Sequence, residues 1–124
     1  MLAPHQGLQF WLCTQPTDMR KSFDGLTALV KNQLNANPSS GQGFIFINRK
    51  RTYLKCLYFE AGGYCLWCKR LEQGQFALLN ARVTGKVALT KTEFSALIEG
   101  LDVVIKRRRK RYMLGDEKAI LPQE

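Results

Sequence analysis

The chain has 124 residues, of which 45% are hydrophobic and 23% charged, which suits one folded domain and argues against a largely disordered chain. Its 19 Lys and Arg residues against 10 Asp and Glu give a net charge of +9. The apolar runs are too short for a membrane-spanning helix, and residues 1–7 lack the pattern of a signal peptide, so we expect a cytoplasmic protein.

The first third of the chain predicts a strand, a turn and an amphipathic helix. Residues 8–13 are mostly apolar and are typical of a strand. From about Ser22 to Leu34, apolar residues recur at the spacing of one helix face: Phe23, Leu26, Val30 and Leu34. Ser22 or Thr17 is a candidate cap for this helix, and the loop-forming composition of residues 35–41 ends it.

The middle of the chain predicts a β-hairpin followed by further strands. Gly43–Asn48 and Thr52–Glu60 are rich in aromatic and β-branched residues, and they flank a basic tip formed by Arg49, Lys50 and Arg51. Asn48 is placed to shape the turn. A third strand is expected from Tyr64 to Leu71, a short apolar run at 76–79, and a last strand from Lys86 to Leu89.

A second helix and a basic tail complete the chain. Thr90 and Glu93 match a capping box, and an apolar stripe follows it: Phe94, Leu97, Ile98 and Leu101. Gly100 suits the end of this helix. We therefore predict an α+β fold, an antiparallel β-meander packed by two helices, in one domain over residues 1–105. Residues 106–124 are expected to be a disordered basic tail.

The four cysteines raise the question of a metal or redox site. Cys65 and Cys68 have the CxxC spacing of a zinc or thioredoxin-like motif, but a second ligand pair is missing and His5, the only histidine, is remote in sequence. If the segment is a strand, the two side chains point to opposite faces. We expect reduced thiols, no metal and no cofactor.

Catalytic chemistry has little support in the sequence. The carboxylates of the domain, among them Asp18, Asp24, Glu60 and Glu72, lie beside turns, helix starts or cations, where capping or ion pairing explains them as well as metal binding does. A Gly-rich phosphate loop with a following Lys is also missing. We expect a protein that is not an enzyme.

The basic residues favour a polyanionic partner, because Lys and Arg release counterions from phosphates; the alternative is a charge that serves only solubility. Four segments are candidate nucleic-acid contacts: Arg20 and Lys21; Arg49, Lys50 and Arg51; Lys69 and Arg70; and Lys106, Arg107, Arg108, Arg109, Lys110 and Arg111. Local ion pairs, such as Arg20 with Asp24, are the competing explanation. Aromatic residues between these segments would stack on bases if exposed, but more often form the core.

Several motifs together resemble one family. Residues 16–26 (PTDMRKSFDGL), 44–51 (FIFINRKR) and 63–76 (GYCLWCKRLEQGQF) are similar to the TnpB accessory-protein family of insertion-sequence-66-type elements, and residues 55–58 and 97–102 extend the match over roughly residues 9–102. Cys68 stands where that family usually has tyrosine.

The resemblance implies a small accessory factor for DNA transposition, encoded beside a separate transposase. DNA and that transposase are thus the expected partners. A protein–protein adaptor that binds the transposase without touching DNA is the alternative, and the sequence leaves the choice open.

Overall fold

The computed structural model describes residues 8–77 and 85–99. In chain order these form β1 (Phe10–Cys13), α1 (Phe23–Asn32), β2 (Gly43–Ile47), β3 (Tyr53–Glu60), β4 (Gly63–Arg70), β5 (Lys86–Leu89) and α2 (Lys91–Ile98). The predicted α+β class is confirmed. Three predictions fall at least in part outside the described residues: the end of the apolar run 76–79, the end of the second helix at Gly100, and the tail 106–124. Neither described helix has the length and hydropathy needed to cross a membrane.

The five strands form one mixed sheet in the order β4-β3-β2-β1-β5. The antiparallel meander that we predicted makes up β2, β3 and β4. β1 instead pairs with β2 in parallel, with Phe10 opposite Gly43, and β5 pairs with β1 in antiparallel orientation. A parallel pair needs a crossover connection, and α1 lies in the segment that provides it.

One face of the sheet is covered by α1. Leu26 and Val30 of the helix and Leu34 after it are buried against side chains of β1, β2 and β3, including Phe44, Phe46 and Leu57. Burying apolar side chains of this size contributes about 1.5–3 kcal/mol each, so this contact is the main reason for the helix to form. Ser22 is the residue before the helix, but its side chain makes no capping hydrogen bond.

The predicted stripe of α1 fails at its first member. Phe23 is 43% exposed, whereas Leu26, three residues later, is fully buried. Side chains on a helix tilt toward its N-terminus, so the first residue of α1 extends past the part of the sheet that the helix covers. Phe23 therefore contributes little to the core.

The other face is covered by α2 and by the segment around Phe76. Phe94 of α2 stacks on Phe10 of β1 with ring centroids 3.9 Å apart and planes 8° apart. The predicted capping box is confirmed: the Thr90 hydroxyl accepts from the Glu93 amide at 3.1 Å, and the Glu93 carboxylate accepts from the Thr90 amide at 3.0 Å. Phe76 is fully buried in the same cluster.

Gly43 lets the parallel pair form against this stacked ring. A Cβ atom at this position would overlap the Phe10 ring, whereas a Cβ on Gly63, in β4, would meet nothing within 4 Å. Phe10 is 2% exposed and stacked on Phe94, so moving its ring away from a new Cβ atom would disrupt that stack.

We expect Gly43→Ala to lower the free energy of unfolding by about 1–3 kcal/mol, the usual cost of overpacking a core. Urea denaturation followed by circular dichroism measures it. Gly63→Ala is the matched control and is expected to change stability by about 0.5 kcal/mol or less. Equal effects of the two substitutions on the free energy of unfolding would show that the close contact between Gly43 and Phe10 does not restrict the side chain at position 43.

Candidate nucleic-acid interface

The sheet topology brings the candidate basic segments of the described chain to one end. β2 ends where the 48–52 turn begins, and β4 ends at Arg70, which is paired with Tyr53 at the start of β3. Because β1 is parallel to β2, the loop after β1 leaves at this same end, and the Thr17 amide donates to the Ile47 carbonyl at 2.9 Å. We call this the basic end; it carries Arg20, Lys21, Arg49, Lys50, Arg51, Lys69 and Arg70.

Asn48 organises the hairpin tip, as predicted. Its side-chain oxygen accepts from the amides of Thr52 at 2.9 Å and Tyr53 at 3.1 Å, and its backbone carbonyl accepts from the Arg51 amide at 3.0 Å. Arg51 has a left-handed backbone with φ of 59°, which closes the turn. Arg49 and Lys50 are exposed between these fixed points.

The segment after β4 also forms hydrogen bonds with the hairpin tip. The Phe76 amide donates to the Arg51 carbonyl at 2.7 Å, and the Gln75 side-chain amide donates to the Lys50 carbonyl at 2.9 Å. The Arg51 guanidinium donates to the Phe76 carbonyl at 3.0 Å. Arg51 thus stabilises the hairpin tip itself, whereas Arg49 and Lys50 project from a backbone that these hydrogen bonds fix in place.

A buried lysine that the sequence analysis did not single out holds the loop before α1. Lys55 is 7% exposed, and its ammonium group donates to the carbonyls of Met19 at 2.8 Å and Lys21 at 2.7 Å. It also lies 5.7 Å from the centre of the Tyr53 ring. Alternation along β3 puts Lys55 on the same face as Leu57, but the local sequence does not show which segment covers it. Lys55 fixes the backbone that carries Arg20 and Lys21.

Arg20 forms an ion pair, but with Asp18 and not with Asp24 as the sequence suggested. Its guanidinium lies 2.6 Å from the Asp18 carboxylate, which also accepts from the Arg20 amide at 2.9 Å. These hydrogen bonds hold the pKa of Asp18 well below its usual range. The turn allows this because residues two apart meet across it, whereas the helical spacing needs both residues in α1. The Asp18 carboxylate thus offsets part of the Arg20 charge locally.

Lys69 and Arg70 are neighbours in β4, so their side chains point to opposite faces of the sheet, and they have different roles. The Lys69 ammonium group donates to the Ile98 carbonyl at the end of α2, at 2.7 Å. Arg70 is exposed on the α1 face, 6.0 Å from the centre of the Tyr53 ring. Only Arg70 of this pair presents its charge to solvent at the basic end.

The lysines at the two edges of the sheet bind the C-terminal ends of the helices. Lys69 of β4 does so for α2, and Lys86 of β5 donates to the Leu34 carbonyl, just after α1, at 3.1 Å. Lys86 also lies 5.0 Å from the centre of the Trp11 ring. Cations stabilise helix C-termini because the last carbonyls lack partners there. Part of the positive charge is therefore used to hold the fold together.

Two further residue sets in the described chain were candidates for chemistry. Cys65 packs toward the α2 face and Cys68 is exposed on the other, so the CxxC pair cannot converge on one ion. Burial raises the pKa of the Cys56 thiol well above its usual range and, with the neighbouring Cys65, raises the pKa of Tyr58 to about 12. Among residues 8–77 and 85–99, no three His, Cys, Asp or Glu side chains come together as a metal site.

The charge of the described part of the chain is polarised along the strands. The basic end carries seven of the predicted cations against four carboxylates, those of Asp18, Asp24, Glu72 and Glu99. At the opposite end lie Glu60, at the β3–β4 turn, and Lys91 and Glu93 in the first turn of α2. A shallow cleft of about 190 Å³ opens beside the hairpin tip, and Arg49 and Arg51 line it.

Comparison with known proteins identifies the family. The family model described as IS66 Orf2 like protein matches residues 8–108. Two similar proteins of Sinorhizobium fredii (strain NBRC 101917 / NGR234), the uncharacterized proteins y4jC and y4hO, are 37% and 35% identical to the chain over 102 residues. These alignments cover 82% of the chain and 86% and 88% of the two relatives.

No solved structure matches the chain. The family match spans the hairpin, the loop before α1 and the end of β4, which together make up the basic end. The chain therefore belongs to the IS66 Orf2-like family, a membership that implies an accessory role in transposition.

Proposed function

We propose that this accessory protein binds DNA without catalysing a reaction on it, through the phosphates that face its basic end. The observation that carries the proposal is the gathering at one end of the sheet of basic segments that are up to 50 residues apart in sequence, Arg20 and Arg70 being the outermost. Phosphate contacts dominate the affinity of proteins for nucleic acid and need cations on one surface.

The structure divides the predicted contact residues by what their side chains already bind. Arg49, Lys50, Lys21 and Arg70 are exposed at the basic end, and they are the primary phosphate ligands in this proposal. Arg20 joins them once a phosphate displaces Asp18. Arg51 and Lys69 act as positioning residues, because their donors bind backbone carbonyls.

The held backbone of the tip and loop supports binding. Ordering a flexible segment costs free energy at each association, and a segment already fixed by Asn48, Gln75 and Lys55 avoids that cost. The predicted tail Lys106–Arg111 adds six cations of the same sign. In this proposal the tail strengthens binding without adding sequence specificity, since phosphate contacts do not read bases.

The transposase encoded with the element is the second proposed partner. The alternative function, an adaptor that binds the transposase and does not touch DNA, makes a different prediction about salt. DNA affinity falls steeply with salt concentration, with a slope of about −0.9 per phosphate neutralised on duplex DNA. Fluorescence anisotropy with element-end DNA, scrambled DNA and purified transposase distinguishes the two.

Neutralising the hairpin tip is expected to weaken DNA binding. Arg49→Gln with Lys50→Gln should reduce the salt slope by about 1.8, two contacts' worth, with the free energy of unfolding unchanged. Lys31→Gln with Lys91→Gln removes the same charge from exposed positions at the end of α1 and the start of α2, and is the matched control. Equal losses in both double variants would indicate a net-charge effect and contradict a defined interface. Transposase binding with no DNA affinity at low salt would favour the adaptor.

Substitutions of the neighbours Lys69 and Arg70 are expected to have different effects, the first on stability and the second on DNA binding. Lys69→Met removes a charged donor from the Ile98 carbonyl and should cost about 1.5 kcal/mol of unfolding free energy, the low end for such bonds because the residue is half-buried. Arg70→Met should change stability by about 0.5 kcal/mol or less and reduce the salt slope by about 0.9. Urea denaturation and the anisotropy titration are made on both variants. The assignment is wrong if the two effects are exchanged.

Removing the carboxylate of Asp18 is expected to strengthen binding. Asp18→Asn leaves the Arg20 guanidinium without its ion pair, so the salt slope should steepen by about 0.9 as Arg20 takes up a phosphate. Glu60→Gln removes the same charge at the opposite end of the sheet and serves as control. No difference between these two variants would exclude Arg20 from the interface.

A further inference from the structure

Two aromatic side chains are exposed on the same side of the sheet. Phe23 is 43% and Tyr64 36% exposed, and within residues 8–77 and 85–99 they are the large hydrophobic residues that remain in solvent. Tyr64 is paired with Phe59, two positions along β3 from Leu57, which packs against α1. Alternation therefore places Tyr64 on the α1 face, where Phe23 also lies.

The outer part of this face is left open by α1. Along β4 the residues that point to this side are Tyr64, Leu66, Cys68 and Arg70, of which only Leu66 packs at the edge of the α1 cluster. We call these four residues together with Phe23 the β4 strip. From its first to its last strand residue the strip spans about 20 Å, at roughly 3.3 Å per residue.

The start of α1 brings Phe23 toward this strip. Lys55 holds the Lys21 carbonyl at 2.7 Å, so the helix begins at the level of Lys55 on β3. The residue opposite Lys55 on β4 is Cys68, which is exposed. Phe23 lies three residues before Leu26 on the helix side that faces the sheet. The start of α1 is therefore at the level of the half of the strip that leads to Arg70, and Phe23 is its exposed aromatic residue there.

We propose that the β4 strip binds single-stranded nucleic acid, with bases on Phe23 and Tyr64 and phosphates on Arg70 and Lys21. The inference rests on the proposed function and names the form of nucleic acid that the same surface takes. Proteins that bind single strands combine a cationic track with aromatic platforms on which bases stack, and this happens without sequence preference.

The composition of the strip favours this partner over an apolar protein surface. The two exposed rings are separated by a half-buried leucine and an exposed thiol instead of joining into one apolar patch. Tyr64 already makes an edge contact with Phe59, with centroids 5.0 Å apart, which holds its ring in place. Cations adjoin the strip at the basic end, where Asp18 is paired with Arg20. Further carboxylates there are Asp24, in the first turn of α1, and Glu72, two residues after Arg70, while Glu60 lies near the Tyr64 end of the strip.

The test compares fluorescein-labelled oligothymidine with a duplex of the same phosphate number, titrated with the full chain. Phe23→Ala and Tyr64→Ala are each expected to lower affinity for oligothymidine about tenfold and to leave duplex affinity within about twofold. Phe23→Leu and Tyr64→Leu keep apolar area but lose the ring, and should lose affinity as alanine does. Phe23→Trp and Tyr64→Phe keep a ring and should retain it.

Each other outcome overturns the inference in a distinguishable way. If all variants bind oligothymidine as the wild type does, or lose both ligands equally, the strip does not stack bases, while the salt slope on duplex DNA still supports the proposed function. If the wild type binds neither ligand at low salt, the proposed function fails as well. Transposase binding that is lost in the alanine variants and kept in the leucine variants would assign the strip to a protein. Should Tyr64→Ala melt early, the Phe23 series decides alone.

Discussion

The parallel pairing of β1 with β2 determines where the basic loops of this protein lie. If β1 ran the other way, the loop that carries Arg20 and Lys21 would leave at the opposite end from the hairpin tip. The pairing depends on a close contact, since Gly43 lies against the ring of Phe10, which stacks in turn on Phe94 of α2. A local packing constraint in the core thus fixes a surface property, the concentration of positive charge at one end of the sheet.

The cations serve two purposes, and their partners separate them. Lys55, Lys69 and Lys86 each donate to backbone carbonyls at or next to the ends of helices. Arg51 donates to a backbone carbonyl in the segment after β4, that of Phe76. Such lysines replace the water that would otherwise bind unpaired carbonyls, and at helix C-termini they also face the negative end of the helix dipole. A net charge of +9 therefore overstates the charge available to a partner. Among the exposed cations of residues 8–77 and 85–99, those at the hairpin tip, before α1 and at the end of β4 lie together at the basic end, whereas Lys31 and Lys91 lie at the end of α1 and the start of α2.

Local features were predictable from sequence and long-range ones were not. The capping box at Thr90, the basic hairpin tip and the alternation along β4 depend on neighbours in the chain, and each was found where it was expected. The place of β1 beside β2 and of β5 beside β1 depends on contacts between distant segments, which a single sequence does not encode in a readable pattern. The same limit hid Lys55, whose carbonyl partners are more than 30 residues away, and it made Phe23 look like a core residue.

The polarity of the sheet bears on how one small protein could serve two partners. A polyanion orients a molecule whose cations lie at one end of the strands, because any rotation of the protein moves those cations away from the negative charges that attract them. In that orientation the β3–β4 turn and the start of α2, with Glu60 and Glu93, point away from the phosphates. DNA bound at the basic end would then leave the opposite end accessible to a second partner, which in the proposed function is the transposase.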